Sequence, residues 1–266
     1  MSTLKTLRLL ASRKVAGFPC AVVGLAVVVV LSILFMFSYQ DALAVGYSIR
    51  STPPRYVFVD LGANVGDSCL MFLQDPEAPE KFDFPTPPGK KHSDAEIFLF
   101  EANPTFNTDL VDLKQKLKHR GININIFPST PVWTESKLMT FHIDLRDRHA
   151  AGSSLLADHP SVVQSDKAVN LTSVAISQWL LQNFLPEDFV VVKMDIELAE
   201  YSIVSHMAAM GVGRVLDYMF VEWHHWIIDA ADPRVAKSAE AVRQLEAEGV
   251  RFPTYNTMTK KRKRSV

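Results

Sequence analysis

The sequence predicts an α/β chain built on a doubly wound parallel sheet, and three observations carry that expectation. Short, almost entirely apolar runs recur at residues 56–59, 97–100, 189–194 and 218–221, the pattern of strands buried on both faces. Stretches with helical spacing alternate with these runs, which is the order of βαβ units. Each run also stops at a polar or glycine-bearing turn, and sheets of this kind bind ligands beyond the carboxyl ends of their strands.

Taken in order, residues 41–55 read as a linker closed by Pro53 and Pro54. The first strand, 56–59, leads through Asp60-Leu61-Gly62-Ala63-Asn64-Val65-Gly66 into a helix expected to reach about Gln74. Between Asp75 and Ala95 stand Pro76, Pro79, Pro85, Pro87, Pro88 and Gly89, too many breakers for an element interior, so an irregular insertion is expected there. A strand at 97–100 ends in Glu101-Ala102-Asn103-Pro104. The helix after it, 105–119, sets Phe106, Leu110, Leu113 and Leu117 on one stripe, with Gly121 placed to end it. Residues 122–127 alternate as a third strand, and 138–143 and 169–172 read as added strands around a polar loop. Helical spacing returns at 174–184. The strand 189–194 is followed by a helix to about Met210, the strand 218–221 by Glu222-Trp223-His224-His225, and a helix at 234–248 leads to 250–252 and a basic tail.

The formal net charge of −1 hides a split. Residues 1–40 carry Lys5, Arg8, Arg13 and Lys14 with no acid, and residues 260–264 are all basic, which leaves 19 basic against 29 acidic groups in the body. A body that acidic excludes a nucleic-acid surface, which needs Lys and Arg on one face. Residues 18–37 are apolar over 20 positions, the length at which a helix crosses a bilayer. That length favours an uncleaved anchor over the shorter apolar stretch of a cleavable signal peptide. Basic residues before the span and Asp41 after it place the amino terminus in the cytosol, giving a single-pass type II protein of the Golgi or endoplasmic reticulum. An acid-free leader with interleaved leucines also fits a mitochondrial or plastid transit peptide. Cys20 lies in the span and Cys69 in the body, so no intramolecular disulfide is expected. The sequon at Asn170 is open to glycosylation if the body is lumenal.

Four strand ends carry the polar groups, and parallel strands bring them to one edge. Gly62 and Gly66, with Asn64 between them, free the backbone to pass close to a ligand. Their spacing is not that of the dinucleotide fingerprint. Glu101, with Asn103 beside it, is placed to accept the hydroxyls of a ribose. Asp195 and Glu197 end an apolar strand, where an acid must be satisfied or functional. His224 is a candidate general base. No metal is required: Asp195, Glu222 and His224 make a chemically possible set, but nothing in the sequence fixes their separation.

These residues carry a resemblance. The segments 59–67 (VDLGANVGD), 100–104 (FEANP), 132–134 (VWT) and 192–201 (VKMDIELAEY) resemble the FkbM-type S-adenosylmethionine-dependent methyltransferases, in the family's order and over about residues 56–225. Leu198 stands where the family has glycine. The resemblance implies a class I methyltransferase, Rossmann-like sheet for the body, residues 56–254; hydropathy and charge place before it a basic leader at 1–17, one transmembrane helix at 18–37 and a linker at 38–55, and after it a basic tail at 255–266. The resemblance also implies S-adenosylmethionine as cofactor, with the loop from Asp60 through Gly62 and Asn64 to Gly66 cradling its methionine part and Glu101, with Asn103 beside it, on the ribose; the strand-end reading adds Asp195, Glu197 and His224 as the catalytic group. The resemblance further implies O-methylation of a small-molecule or glycan hydroxyl.

Overall fold

The computed structural model describes residues 53–144, 152–157, 159, 162 and 167–255, together with Lys14–Val15 and Phe18–Pro19. The chain divides into two units, Met1–Pro53 and Pro54–Val266. In the first, Lys14–Val15 pairs antiparallel with Phe18–Pro19. The other residues of the expected leader, span and linker up to Thr52 lie outside the described residues, as does the tail beyond Tyr255. Among the described residues, no helix is long and apolar enough to cross a membrane.

The second unit holds a five-stranded sheet. Its strands are β1 (Tyr56–Leu61), β2 (Glu96–Phe100), β3 (Asn123–Phe127), β8 (Phe189–Met194) and β9 (Tyr218–Val221), in the spatial order β9-β8-β1-β2-β3 with every pair parallel. Between β3 and β8 lie β4 (Val132–Trp133), β5 (Leu138–His142), β6 (Ala168–Thr172) and β7 (Val174–Ala175); β5 and β6 form an antiparallel hairpin, and β4 pairs parallel with β7. The helices are α1 (Asp67–Phe72), α2 (Asn107–His119), α3 (Ile176–Asn183), α4 (Glu200–Ala209) and α5 (Pro233–Ala247). The chain winds outward from β1 through β2 to β3, then returns to β8 on the other side of β1. That reversal puts a topological switch point, and hence a crevice, at the carboxyl ends of β1 and β8.

Strand alternation divides the core. Val57, Val59 and Leu61 face one side with Phe98, Phe100, Val190, Val192 and Met194, covered by α3, α4 and α5. Tyr56 and Phe58 face the other with Ile97, Leu99, Val191 and Phe220, covered by α1 and α2. Both faces are buried, which is why these strands read as continuous apolar runs.

Several boundaries differ from the sequence expectation, each for a local reason. Residue 55 belongs to the domain and not the linker, because the Arg55 guanidinium pairs with Asp188 at 2.7 Å and Glu96 at 3.2 Å and lies over the Phe184 ring. Tyr255 belongs to the core and not the tail: it is 4% exposed, against Phe82, Phe84 and Phe220. The insertion at 75–95 is irregular as expected, but its aromatic residues are core. Phe84 is 2% exposed and packs edge-on against Phe58 and Phe220, and Tyr56 donates to the carbonyl of Pro85 at 2.8 Å. Lastly, Arg251 bridges Tyr218 in parallel, so the segment after α5 comes back alongside the outer edge of β9.

Candidate functional site at the switch point

The turn after β1 is built by contacts within the protein. Gly62 has φ +84°, and a Cβ there would stand 1.9 Å from the carbonyl oxygen of Asp195. Gly66 has φ +94°, and a Cβ there would stand 2.2 Å from Leu113 Cδ2. Both positions therefore need glycine for conformation and for space. The intervening amides are engaged as well. Those of Gly62 and Ala63 donate to the Phe100 carbonyl at 3.0 Å, that of Asn64 to Glu101 Oε2 at 2.7 Å, that of Val65 to Asn64 Oδ1 at 2.9 Å and that of Gly66 to the Ala63 carbonyl at 2.7 Å.

Asp60 lies beneath this turn, fully buried. Ser68 on α1 donates to its Oδ2, and Lys193 Nζ stands 3.1 Å from its Oδ1, an ion pair without the alignment of a hydrogen bond. Lys193 is itself 3% exposed and donates to the Gly62 carbonyl at 2.8 Å. Burial works against the ammonium, but the Asp60 and Asp195 carboxylates outweigh it and hold Lys193 charged. Burial likewise raises Asp60, opposed by Lys193 and Ser68. Asp60 is thus placed below the crevice floor, where it anchors the turn from underneath.

Glu101 closes the β2 side of the crevice. Its Oε1 accepts from the amide of Asn103 at 2.6 Å while Oε2 takes that of Asn64, and burial pushes the carboxyl up to about 7 against these two donors. Asn103, 1% exposed, caps the turn that leads into α2, accepting from the Thr105 amide at 3.1 Å.

On the other side of the switch point, the turn after β8 is tight and strained. Glu197 and Leu198 have φ of 52° and 77°, a left-handed conformation that a leucine rarely takes. Here lies the physical reason a glycine would suit position 198. The Leu198 side chain is 3% exposed.

This turn delivers Asp195 and Glu197 to His224, which follows β9. The imidazole is 2% exposed; its Nδ1 lies 2.8 Å from Glu200 Oε1, and its Nε2 3.2 Å from Glu197 Oε1 and 3.6 Å from Asp195 Oδ1. Burial opposes charge on the ring, yet the Glu197 and Glu200 carboxylates prevail and push it up to about 11. A ring held cationic across the physiological range does not serve as the general base expected of it. Burial raises Glu197 too, but its bonds to His159 and His224 bring it below the ordinary glutamate value. The side chain of Asp195, partly exposed, is the open carboxylate of the group.

The catalytic residues expected from sequence are therefore together, whereas Glu222 is not in their cluster: Glu197 takes its place beside Asp195 and His224. Four participants were missed in the sequence: Lys193, Glu200, His159 and Ser154. Lys193 could have been found, since a lysine inside an apolar strand demands a partner. His159, whose Nε2 lies 2.9 Å from Glu197 Oε2, and Ser154, which donates to the Glu197 carbonyl at 2.7 Å, come from an aperiodic loop that gives no such signal. Cys69 is buried core, as expected. Compared with protein-family models, curated proteins and solved structures, the chain finds no match.

Proposed function

We propose that this chain is an S-adenosylmethionine-dependent O-methyltransferase acting on a hydroxyl, of a glycan in the first instance, and tethered to an endomembrane of the Golgi or endoplasmic reticulum through residues 18–37. The observation that carries the reading is the switch point itself. A glycine turn, the acid at the end of β2 and the open carboxylate after β8 converge on one crevice, where doubly wound sheets take nucleotide-like ligands. The partly exposed carboxylate of Asp195 gives its rim a negative group, which suits a cationic sulfonium and a neutral acceptor.

Transfer is an in-line displacement: the acceptor oxygen forms a bond to the methyl carbon as the carbon–sulfur bond breaks, and the hydroxyl proton leaves to a base. In this reading Asp195, the most exposed carboxylate of the group, receives that proton. Trp226, 55% exposed with its ring 5.0 Å from that of His224, offers an apolar face on which a sugar ring can lie.

A second reading is favoured by one specific observation. The amides of residues 62–66 are spent within the protein, so the turn has none left to bind the carboxylate of a methionyl group. In that reading the fold serves as a structural or assembly subunit of a membrane complex, mitochondrial in one variant. Calorimetric titration of the full chain with S-adenosylmethionine and S-adenosylhomocysteine separates the two. Binding of both ligands supports the transferase, and a folded chain that takes up neither removes it in favour of the subunit.

A further inference from the structure

The imidazole of His224 is surrounded by more negative charge than its own protons can answer. Glu200, fully buried, takes Nδ1 through one oxygen and keeps the other without a hydrogen-bond partner. Nε2 then faces two carboxylates, Glu197 at 3.2 Å and Asp195 at 3.6 Å, but one ring nitrogen carries at most one proton, and 3.6 Å is beyond a hydrogen bond. Asp195 and Glu197 are thus drawn toward an atom that cannot satisfy both.

The spacing suits a different occupant. Donor atoms bound to one ion at about 2.1 Å, with angles between 90° and 109°, lie about 3.0–3.4 Å from one another. The donor atoms of Asp195, Glu197 and His224 all lie within 4.8 Å of one another, and the two distances to Nε2 bracket the upper end of that range. Glu200 on Nδ1 is the arrangement that orients a metal-ligating histidine: it holds the Nδ1 proton, so that an arriving ion displaces the Nε2 proton to solvent and takes the lone pair it leaves. His159 on the second oxygen of Glu197 orients that carboxylate in the same way. The side chains of Asp195 and Glu197, 31% and 16% exposed, leave the cluster open on one side, as in a site that keeps a position for an exchangeable ligand.

We propose that Asp195, Glu197 and His224 form a binding site for one divalent transition-metal ion, with Glu200 as the residue that positions the imidazole. Two carboxylate oxygens and one imidazole nitrogen match ions of the manganese to zinc series better than magnesium or calcium, which prefer all-oxygen sets. The site stands without the transferase reading. Only its use rests on that reading: an ion here would polarise an acceptor hydroxyl and ease loss of its proton.

The test uses the full chain, purified in detergent because of its apolar 18–37 stretch and stripped with a chelator. It is titrated with Mn²⁺ while the signal of free Mn²⁺ is followed by electron paramagnetic resonance, and with Co²⁺ while visible absorption is followed. One equivalent of each ion is expected. Asp195→Asn, at a partly exposed position, should weaken Mn²⁺ binding by at least about 10-fold, and Glu200→Gln by about 10–100-fold with the stoichiometry kept. Asp229→Asn, at an exposed position past the cluster, should change nothing. Circular dichroism checks that each variant is folded, and a rise in Tm with added Mn²⁺ in the parent but not in Asp195→Asn gives a second readout. A folded parent that binds neither ion stoichiometrically, or Asp195→Asn and Glu197→Gln that both bind like the parent, overturns the site. Metal uptake without S-adenosylmethionine uptake would keep the site while removing the transferase.

Discussion

Replacing Lys193 by Met tests whether the buried ion pair under the glycine turn governs this edge of the sheet. Met keeps most of the volume but removes the charge facing Asp60 at 3.1 Å and the donor to the Gly62 carbonyl. At an effective dielectric constant of about 20, the attraction at that distance is about 5 kcal/mol. The loss is capped, because Asp60 can take up a proton instead: for a carboxyl with an ordinary value of 3.8, that costs about 4 kcal/mol at pH 7 and about 2 kcal/mol at pH 5. The unsatisfied Gly62 carbonyl adds about 1–3 kcal/mol. Lys193→Met should therefore destabilise the chain by about 5–7 kcal/mol at pH 7, and by about 3 kcal/mol less at pH 5, two pH units being worth about 2.7 kcal/mol for one proton. Asp60→Asn alone strands the ammonium and should cost about 3–5 kcal/mol. The double variant removes both charges and should cost only about 1–3 kcal/mol. Urea denaturation followed by tryptophan fluorescence gives all four corners of the cycle. A double variant whose loss equals the sum of the two singles within about 0.5 kcal/mol would refute the coupling.

Three further outcomes follow from the same geometry. Gly62→Ala should cost about 2–5 kcal/mol, from left-handed strain plus a methyl forced onto the Asp195 carbonyl, whereas Gly121→Ala, with φ +76° and open space around it, should show the strain alone at about 1–2 kcal/mol; equal losses in urea midpoints would contradict the close approach. Glu101 has its pKa raised on folding, so the native state binds that proton more tightly and the group's contribution, full below 4.5, is lost as pH rises to about 7; stability of the parent should fall across that window by about 3 kcal/mol relative to Glu101→Gln, and parallel pH profiles would count against the burial argument. Phe84→Ala should cost about 3–5 kcal/mol by emptying a core position, and a near-neutral result in thermal unfolding would return the insertion to the surface.

The sheet was legible because its strands are covered on both faces, so that the signal is composition over four to six positions and survives small errors in end points. The same residues disclosed the crevice, since parallel strands present their following turns together. Other features depend on contacts between distant segments. His224 and Glu200 are 24 positions apart, and His159 and Glu197 38 apart, distances at which no periodicity connects them. Helix starts shifted for local reasons: Asn103 caps a tight turn through Pro104–Phe106 before α2 begins, and Val174–Ala175 pairs with β4 before α3 does. The proline-rich insertion was correctly irregular, yet its backbone pattern could not reveal that Phe84 supplies the sheet with part of its cover. Asp60 shows the reverse limit. An acid next to a glycine turn reads as a ligand contact, and only burial distinguishes it from a foundation.

The contact between Gly62 and the Asp195 carbonyl has a bearing on how this crevice can change over generations. The amide of Gly62 is tied to β2, its carbonyl to Lys193 of β8, and its α-carbon abuts the chain after β8, leaving no slack in any direction. Neither lip can be lengthened, shortened or re-aimed without moving the other. Variation in what the crevice accepts is then confined to side chains and not to the backbone of this seam, and a lineage that alters one lip must carry a matching alteration in its opposite.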